Sequence, residues 1–151
     1  SLMWNLNDES GGIGWGSAEA MGEILSRSPA LVDEYASILF SFLDPKANYI
    51  DHPVLQQGVL WGIGTCIIAF PGKMTPYLAG LIALFLDSED KILKGYAVRA
   101  LASGSPQGAG RLPEDILADT KKIQVYTGWH FEPARICDLA RAGIENRIDS
   151  R

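Results

Sequence analysis

Two stretches of this chain echo one another, and that recurrence limits the fold more than any other feature. Leu93-Lys94, Ala97 and Ala100-Leu101-Ala102 return as Leu55-Gln56, Val59 and Gly62-Ile63-Gly64, so that residue 102 answers residue 64 across 38 positions. A fainter copy, Ala20-Met21-Gly22, stands about 42 residues before Gly64. A unit of this length is one supersecondary piece that cannot bury its apolar face alone, so successive units stack. Small residues at the equivalent places let the paired helix approach closely, where a larger side chain would push it away.

The units themselves read as helices, because their starts carry the right chemistry. Ser28-Pro29 and Thr75-Pro76 each put a capping hydroxyl before a proline at the first helical position. His52-Pro53, with Asp51 ahead of it, makes a similar start. Asp87-Ser88-Glu89-Asp90 offers two caps and places acidic groups where the helix dipole favours them. From residue 31 the stripe Leu31, Tyr35, Ile38, Leu39 and Phe42 has helical spacing, and Asp44-Pro45 ends it. Residues 53 to 70 are apolar nearly all round, which predicts a helix buried between neighbours and stopped by Pro71-Gly72. Further helices are predicted over residues 76–86 and 89–102, and GSPQGAG, residues 104–110, reads as a loop.

The tail has a different pattern. IQVYTGWHFE alternates apolar and polar residues around Thr127-Gly128, which predicts a short β-hairpin with Gly128 in its turn. A last helix is predicted over residues 133–146, with Ile136, Leu139, Ala140 and Ile144 on one face. One domain is expected over residues 1–151, with a repeat core at 15–103 and residues 111–151 capping its open end.

DSEDKILKGYAVRALA resembles the HEAT-like repeat family, including the variant named after phycobilisome lyases; HPVLQQGVLWGIG resembles it less and GWGSAEAMGEIL least. Gln56 stands where the family places a basic residue, and Gly14 stands there in the first copy. The resemblance implies a mainly α, armadillo-like α–α superhelix whose concave surface is lined by the second helix of each pair. Here that surface would comprise the helices around residues 17–27, 53–70 and 89–103. It implies a non-catalytic scaffold that binds another protein or peptide. Two catalytic precedents accompany it, lyases that attach tetrapyrroles and DNA glycosylases that act on alkylated bases.

Charge weighs against the second precedent. The formal net charge is -5 and the pI about 4.9, whereas nucleic-acid binding leaves a basic footprint. No stretch has the roughly 18 apolar residues that cross a bilayer, so a soluble protein of the cytoplasm is expected. The start, SLMWNLNDES, does not read as a signal peptide; Ser1 and Leu2 read as a cloning remnant, and Trp4 and Leu6 suggest a piece of a longer chain or a missing first helix. Cys66 and Cys137, without CxxC spacing, read as buried free thiols. His52 and His130 are too few for a metal site, and no metal or other cofactor is expected. His52 is placed to cap a helix, and His130 shares a strand face with Glu132.

Candidate binding residues gather towards the N-terminus. NLNDESGGIGWG sets Asp8 and Glu9 beside a glycine-rich turn between Trp4 and Trp15, a combination that suits a peptide or cation. The other reading is a capped turn whose side chains bind backbone amides. Glu19 and Glu23 lie four apart on one helix face, where two carboxylates serve a cation, acid–base chemistry or merely solvent. Trp61, central in the most apolar helix, reads as a core anchor first and a stacking surface second. Exposed polar groups of the concave surface should include Glu19, Glu23, Gln56, Gln57, Lys91, Lys94 and Arg99, running from acidic to basic along the stack. SGSPQGAGR lacks the ending of a phosphate loop, and no GxSxG elbow marks a nucleophile.

Overall fold

The computed structural model describes residues 16–104 and 106–149. The chain is mainly helical, with one short two-stranded antiparallel sheet. Helices α1 (Ser17–Leu25), α2 (Pro29–Ser41) and α3 (Pro53–Ala69) come first, followed by a 3-10 turn at Pro71–Lys73. Next are α4 (Pro76–Ala83), α5 (Lys91–Ser103), the one-turn α6 (Pro106–Ala109) and a second 3-10 turn at Glu114–Ala118. Strands β1 (Lys122–Tyr126) and β2 (Phe131–Arg135) form the hairpin, and α7 (Ile136–Asp149) follows directly.

The caps work as their residue types require. Ser28 Oγ accepts from the Leu31 amide at 3.3 Å, and Thr75 Oγ1 from Leu78 at 3.2 Å. His52 Nδ1 accepts from Leu55 at 3.4 Å. Of the two caps offered before α5, Asp90 is the one used. Its Oδ1 accepts from Ile92 at 2.9 Å and Leu93 at 3.2 Å, so the helix begins at Lys91 rather than at Glu89. Asp90→Ala should therefore cost about 1 kcal/mol of stability, read as a lowered thermal midpoint. A midpoint within a degree of the parent would show that the cap is dispensable.

Three expected boundaries move. Helix α4 stops at Ala83, because Phe85 and Leu86 bond back to Ile82 and Ala83 in the tighter i→i+3 pattern. The expected loop at 104–110 holds α6, closed by the Gly110 amide on the Pro106 carbonyl at 2.9 Å. Helix α7 begins at Ile136 and not at residue 133, because Pro133 belongs to β2, opposite Gln124. A two-stranded sheet has only edges, where a proline is tolerated. Gly128 turns the hairpin with φ +93°, a conformation that favours glycine.

Packing is organised about α3, which lies between α1 and α5; α5 in turn packs on α7. Helix α2 touches α1 and α3, and α4 packs against α5. This explains why α3 is apolar all round: the seven consecutive residues from Gly58 to Gly64 are buried, and together they cover every side of the helix. The contacts along this row are backbone-close. A Cβ on Gly22 would overlap Gly62, and one on Gly62 would overlap the Ala18 carbonyl, so α1 and α3 meet through glycine. Gly64 faces Ala100 across α3 and α5, and Gly143 rests on the Ala102 carbonyl across α5 and α7. Val98, Ile116, Ile136 and Ala140 form a small separate cluster under α7, joining the C-terminal elements to α5. No helix among the described residues is long and apolar enough to cross a membrane.

Candidate functional site

The glycine contact between α1 and α3 also sets the position of a carboxyl group. Glu19 and Glu23 share one face of α1, and Glu19 reaches α3 where Gly58 leaves room; a Cβ on Gly58 would collide with its carboxylate. Half-burial there disfavours the charged form and raises the Glu19 pKa above the usual carboxylate value, only partly offset by the residue's own amide. Glu23 lies further along the helix beside Gly128 of the hairpin turn.

The opposite wall is aromatic and is held by Trp61. Its indole N–H donates to the Tyr126 carbonyl at 2.7 Å, drawing the hairpin across α3. The Tyr96 hydroxyl of α5 fastens the same strand, accepting from the Tyr126 amide at 3.1 Å and donating to the Gln124 carbonyl at 3.4 Å. Burial raises the Tyr96 pKa, so the phenol keeps its proton at neutral pH. The Trp61 and Tyr126 rings are 5.1 Å apart, and Tyr126 and Phe131 are 5.4 Å apart, both tilted pairs of the favourable kind.

Arg99 supports this wall from α5. It donates from Nη1 to the Trp61 carbonyl and from Nη2 to Thr65 Oγ1, each at 3.0 Å, and its guanidinium lies 5.3 Å from the Trp61 ring centroid. Desolvation pulls its pKa down to about 10, so it stays charged at pH 7. No carboxylate among the described residues pairs with it.

Between these walls is a half-open hollow of about 290 Å³. Helix α1 contributes Glu19, Ala20 and Glu23, with Gly16 just before it. Helix α3 contributes Val54, Gln57, Gly58 and Trp61; Tyr96, Tyr126 and Phe131 complete the lining. At the hairpin, Phe131 of the lining is 62% exposed, and Trp129 in the turn is 93% exposed.

Of the residues singled out from sequence, Glu19, Glu23, Gln57 and Trp61 come together here. Trp61 is only 3% exposed, as a core anchor would be, and it also lines the hollow. Asp8, Glu9 and Trp15 lie outside the described residues. Arg99 is not an exposed contact but a support behind Trp61. Lys94 belongs elsewhere: its Nζ is 2.6 Å from Asp119 Oδ2, tying α5 to the segment before the hairpin. Burial alone would raise the Asp119 pKa, yet bonds from Lys94 and Lys121 hold it below the usual value. Gln56, expected at the surface, is buried and donates to the Ile50 carbonyl at 3.0 Å and the Tyr49 hydroxyl at 3.1 Å.

Tyr96, Tyr126, Phe131 and Gly58 are site residues that the sequence reading did not single out. Among the described residues no group of three His, Cys, Asp or Glu could hold a metal ion. His130 and Glu132 pair at 2.8 Å in the open, away from the lining. Burial pushes the Cys66 thiol up to about 11, so it is not a nucleophile at neutral pH. Native protein at pH 7.5 should accordingly leave Cys66 unmodified by iodoacetamide until denaturant is added; labelling at the rate of a free thiol would contradict its burial. Comparison of the chain with family models, curated proteins and solved structures finds no match.

Proposed function

We propose that this chain is a non-catalytic, HEAT-like helical-repeat domain that binds a peptide segment of a partner protein by seating a basic side chain in the hollow. The observation that carries this reading is the pairing of two carboxylates, Glu19 and Glu23, with an aromatic wall in one half-open site. Small-residue contacts at Gly22 with Gly62, Gly64 with Ala100, and Ala102 with Gly143 recur roughly every 40 residues along the row of inner helices, which supports stacking of equivalent units.

Size and charge favour this occupant over those of the catalytic precedents. A volume of about 290 Å³ is at the small end of ligand sites, roughly 300–1,000 Å³, and suits a side chain better than a tetrapyrrole. Carboxylates in the hollow and a net charge of -5 oppose nucleic acid and attract a basic segment.

The test is fluorescence anisotropy with two labelled peptides of equal length, one lysine-rich and one glutamate-rich. Only the lysine-rich peptide should bind, and added salt should weaken it. The charged or titratable groups around Glu19 are Glu23 on its own helix, Tyr96 and Arg99 on α5, and Tyr126 on β1; Gln57 and Gly58 of α3 carry no charge. A bound cation favours the ionised form of Glu19. Affinity should therefore rise with pH through the raised Glu19 pKa and fall below it, and Glu19→Gln should flatten that dependence. Equal binding of the two peptides, or none, would overturn the proposal.

A further inference from the structure

Resting on the reading that the hollow takes a basic side chain, we infer that its preferred occupant is a methylated ammonium, a trimethyl-lysine of the partner peptide. The reason is what the walls offer. A free ammonium carries three N–H donors and is strongly hydrated, so it needs acceptors to replace its water. The ring polar atoms here are already engaged with the backbone. Trp61 Nε1 donates to the Tyr126 carbonyl, the Tyr126 hydroxyl to the Gly128 carbonyl at 2.8 Å, and the Tyr96 hydroxyl to the Gln124 carbonyl. Apart from Ala20, Val54 and Gln57, whose amide nitrogen donates to Asp90 at 3.4 Å, the side chains left to a ligand are aromatic surface and the two glutamates.

A quaternary ammonium fits that inventory. It has no N–H to satisfy, sheds water readily, and keeps its attraction to aromatic faces and carboxylates. Arg99 sets a cation 5.3 Å from the Trp61 centroid within the fold itself, so this ring already engages in that interaction. Two carboxylates against one guanidinium leave the ionised surroundings one charge negative, which a bound cation balances. Five heavy atoms of a trimethylammonium head and its first methylene, at about 30 Å³ each, take up about 150 Å³. The remainder of the 290 Å³ admits the methylene stem.

The experiment uses two peptides of one sequence, differing only in a free or trimethylated lysine, titrated into the full chain by calorimetry. The trimethylated peptide should bind about tenfold more tightly. Phe131→Ala, at a position 62% exposed and so harmless to the core, should reduce that ratio several-fold. Equal affinities would overturn the inference and leave the basic-side-chain reading standing, whereas no binding of either peptide would overturn both. A preference that Phe131→Ala leaves intact would place methyl-ammonium recognition outside this hollow and overturn the assignment. Free choline binding as tightly as the trimethylated peptide would overturn the choice of a peptide as its source.

Discussion

Gly62→Leu should destabilise the protein by about 3 kcal/mol, the upper end of what overpacking usually costs. A side chain at this position has nowhere to go: its Cβ alone would overlap the Ala18 carbonyl, and Gly22 lies just beyond. The obstacle is backbone, which cannot rotate aside as a side chain can, so α1 must separate from α3. For a chain of 151 residues that cost corresponds to a fall of roughly 6–12 °C in thermal midpoint. Gly72→Ala is the control, since a Cβ there meets nothing within 4 Å. A Gly62→Leu midpoint within a degree of the parent would mean that the α1–α3 contact does not exist as described. Because α1 carries Glu19 and Glu23, the same variant should also weaken binding of the lysine-rich peptide.

Glu19→Gln should act in the opposite direction on stability and more strongly on binding. Folding raises the pKa of this carboxyl, so the folded state holds its proton more tightly than the unfolded chain does. Stability from this group is present at low pH and is lost as pH rises from the unfolded value through the folded one. At neutral pH the wild-type protein therefore carries an unfavourable half-buried charge, which glutamine removes with nearly the same shape. The midpoint at pH 7.5 should rise, while affinity for the lysine-rich peptide should fall about tenfold or more. Unchanged affinity would remove Glu19 from the site, and a lowered midpoint would show that its carboxylate has a stabilising partner. A group retained against stability is what a binding role would require.

The parts of this fold legible in the sequence are those fixed by local chemistry. The Ser28, His52, Thr75 and Asp90 caps and the Gly128 turn act over two to three residues, and each is where its residue type asks for it. The positions of close approach were legible too, because only small residues survive there. The end of α4 and the start of α7 were not, since i→i+3 bonding and strand pairing with Gln124 decide them. Lys94 and Gln56 look like surface groups until Asp119 and the Ile50 carbonyl are brought beside them. Half of the candidate site was legible in the same sense. The spacing of Glu19 and Glu23 gives their shared face, and the apolar surroundings of Trp61 give its burial. The other half comes from the hairpin, whose place depends on bonds to distant residues, from Trp61 to Tyr126 across 65 positions and between Tyr96 and β1. Nothing in the local pattern of IQVYTGWHFE says which helices it will cover.

The most direct measurement is a map of backbone amide shifts by nuclear magnetic resonance while the lysine-rich peptide is titrated into the wild-type protein. The expected result is a contiguous set of perturbed amides at Glu19, Glu23, Gly58, Trp61, Tyr126 and Phe131. The remote exposed residues Tyr77 and Leu84 at either end of α4 should stay unmoved. Saturating shifts confined to the hollow would place the basic side chain there. Shifts centred on α4, or spread evenly over the surface with the hollow unperturbed, would contradict its role as the docking site.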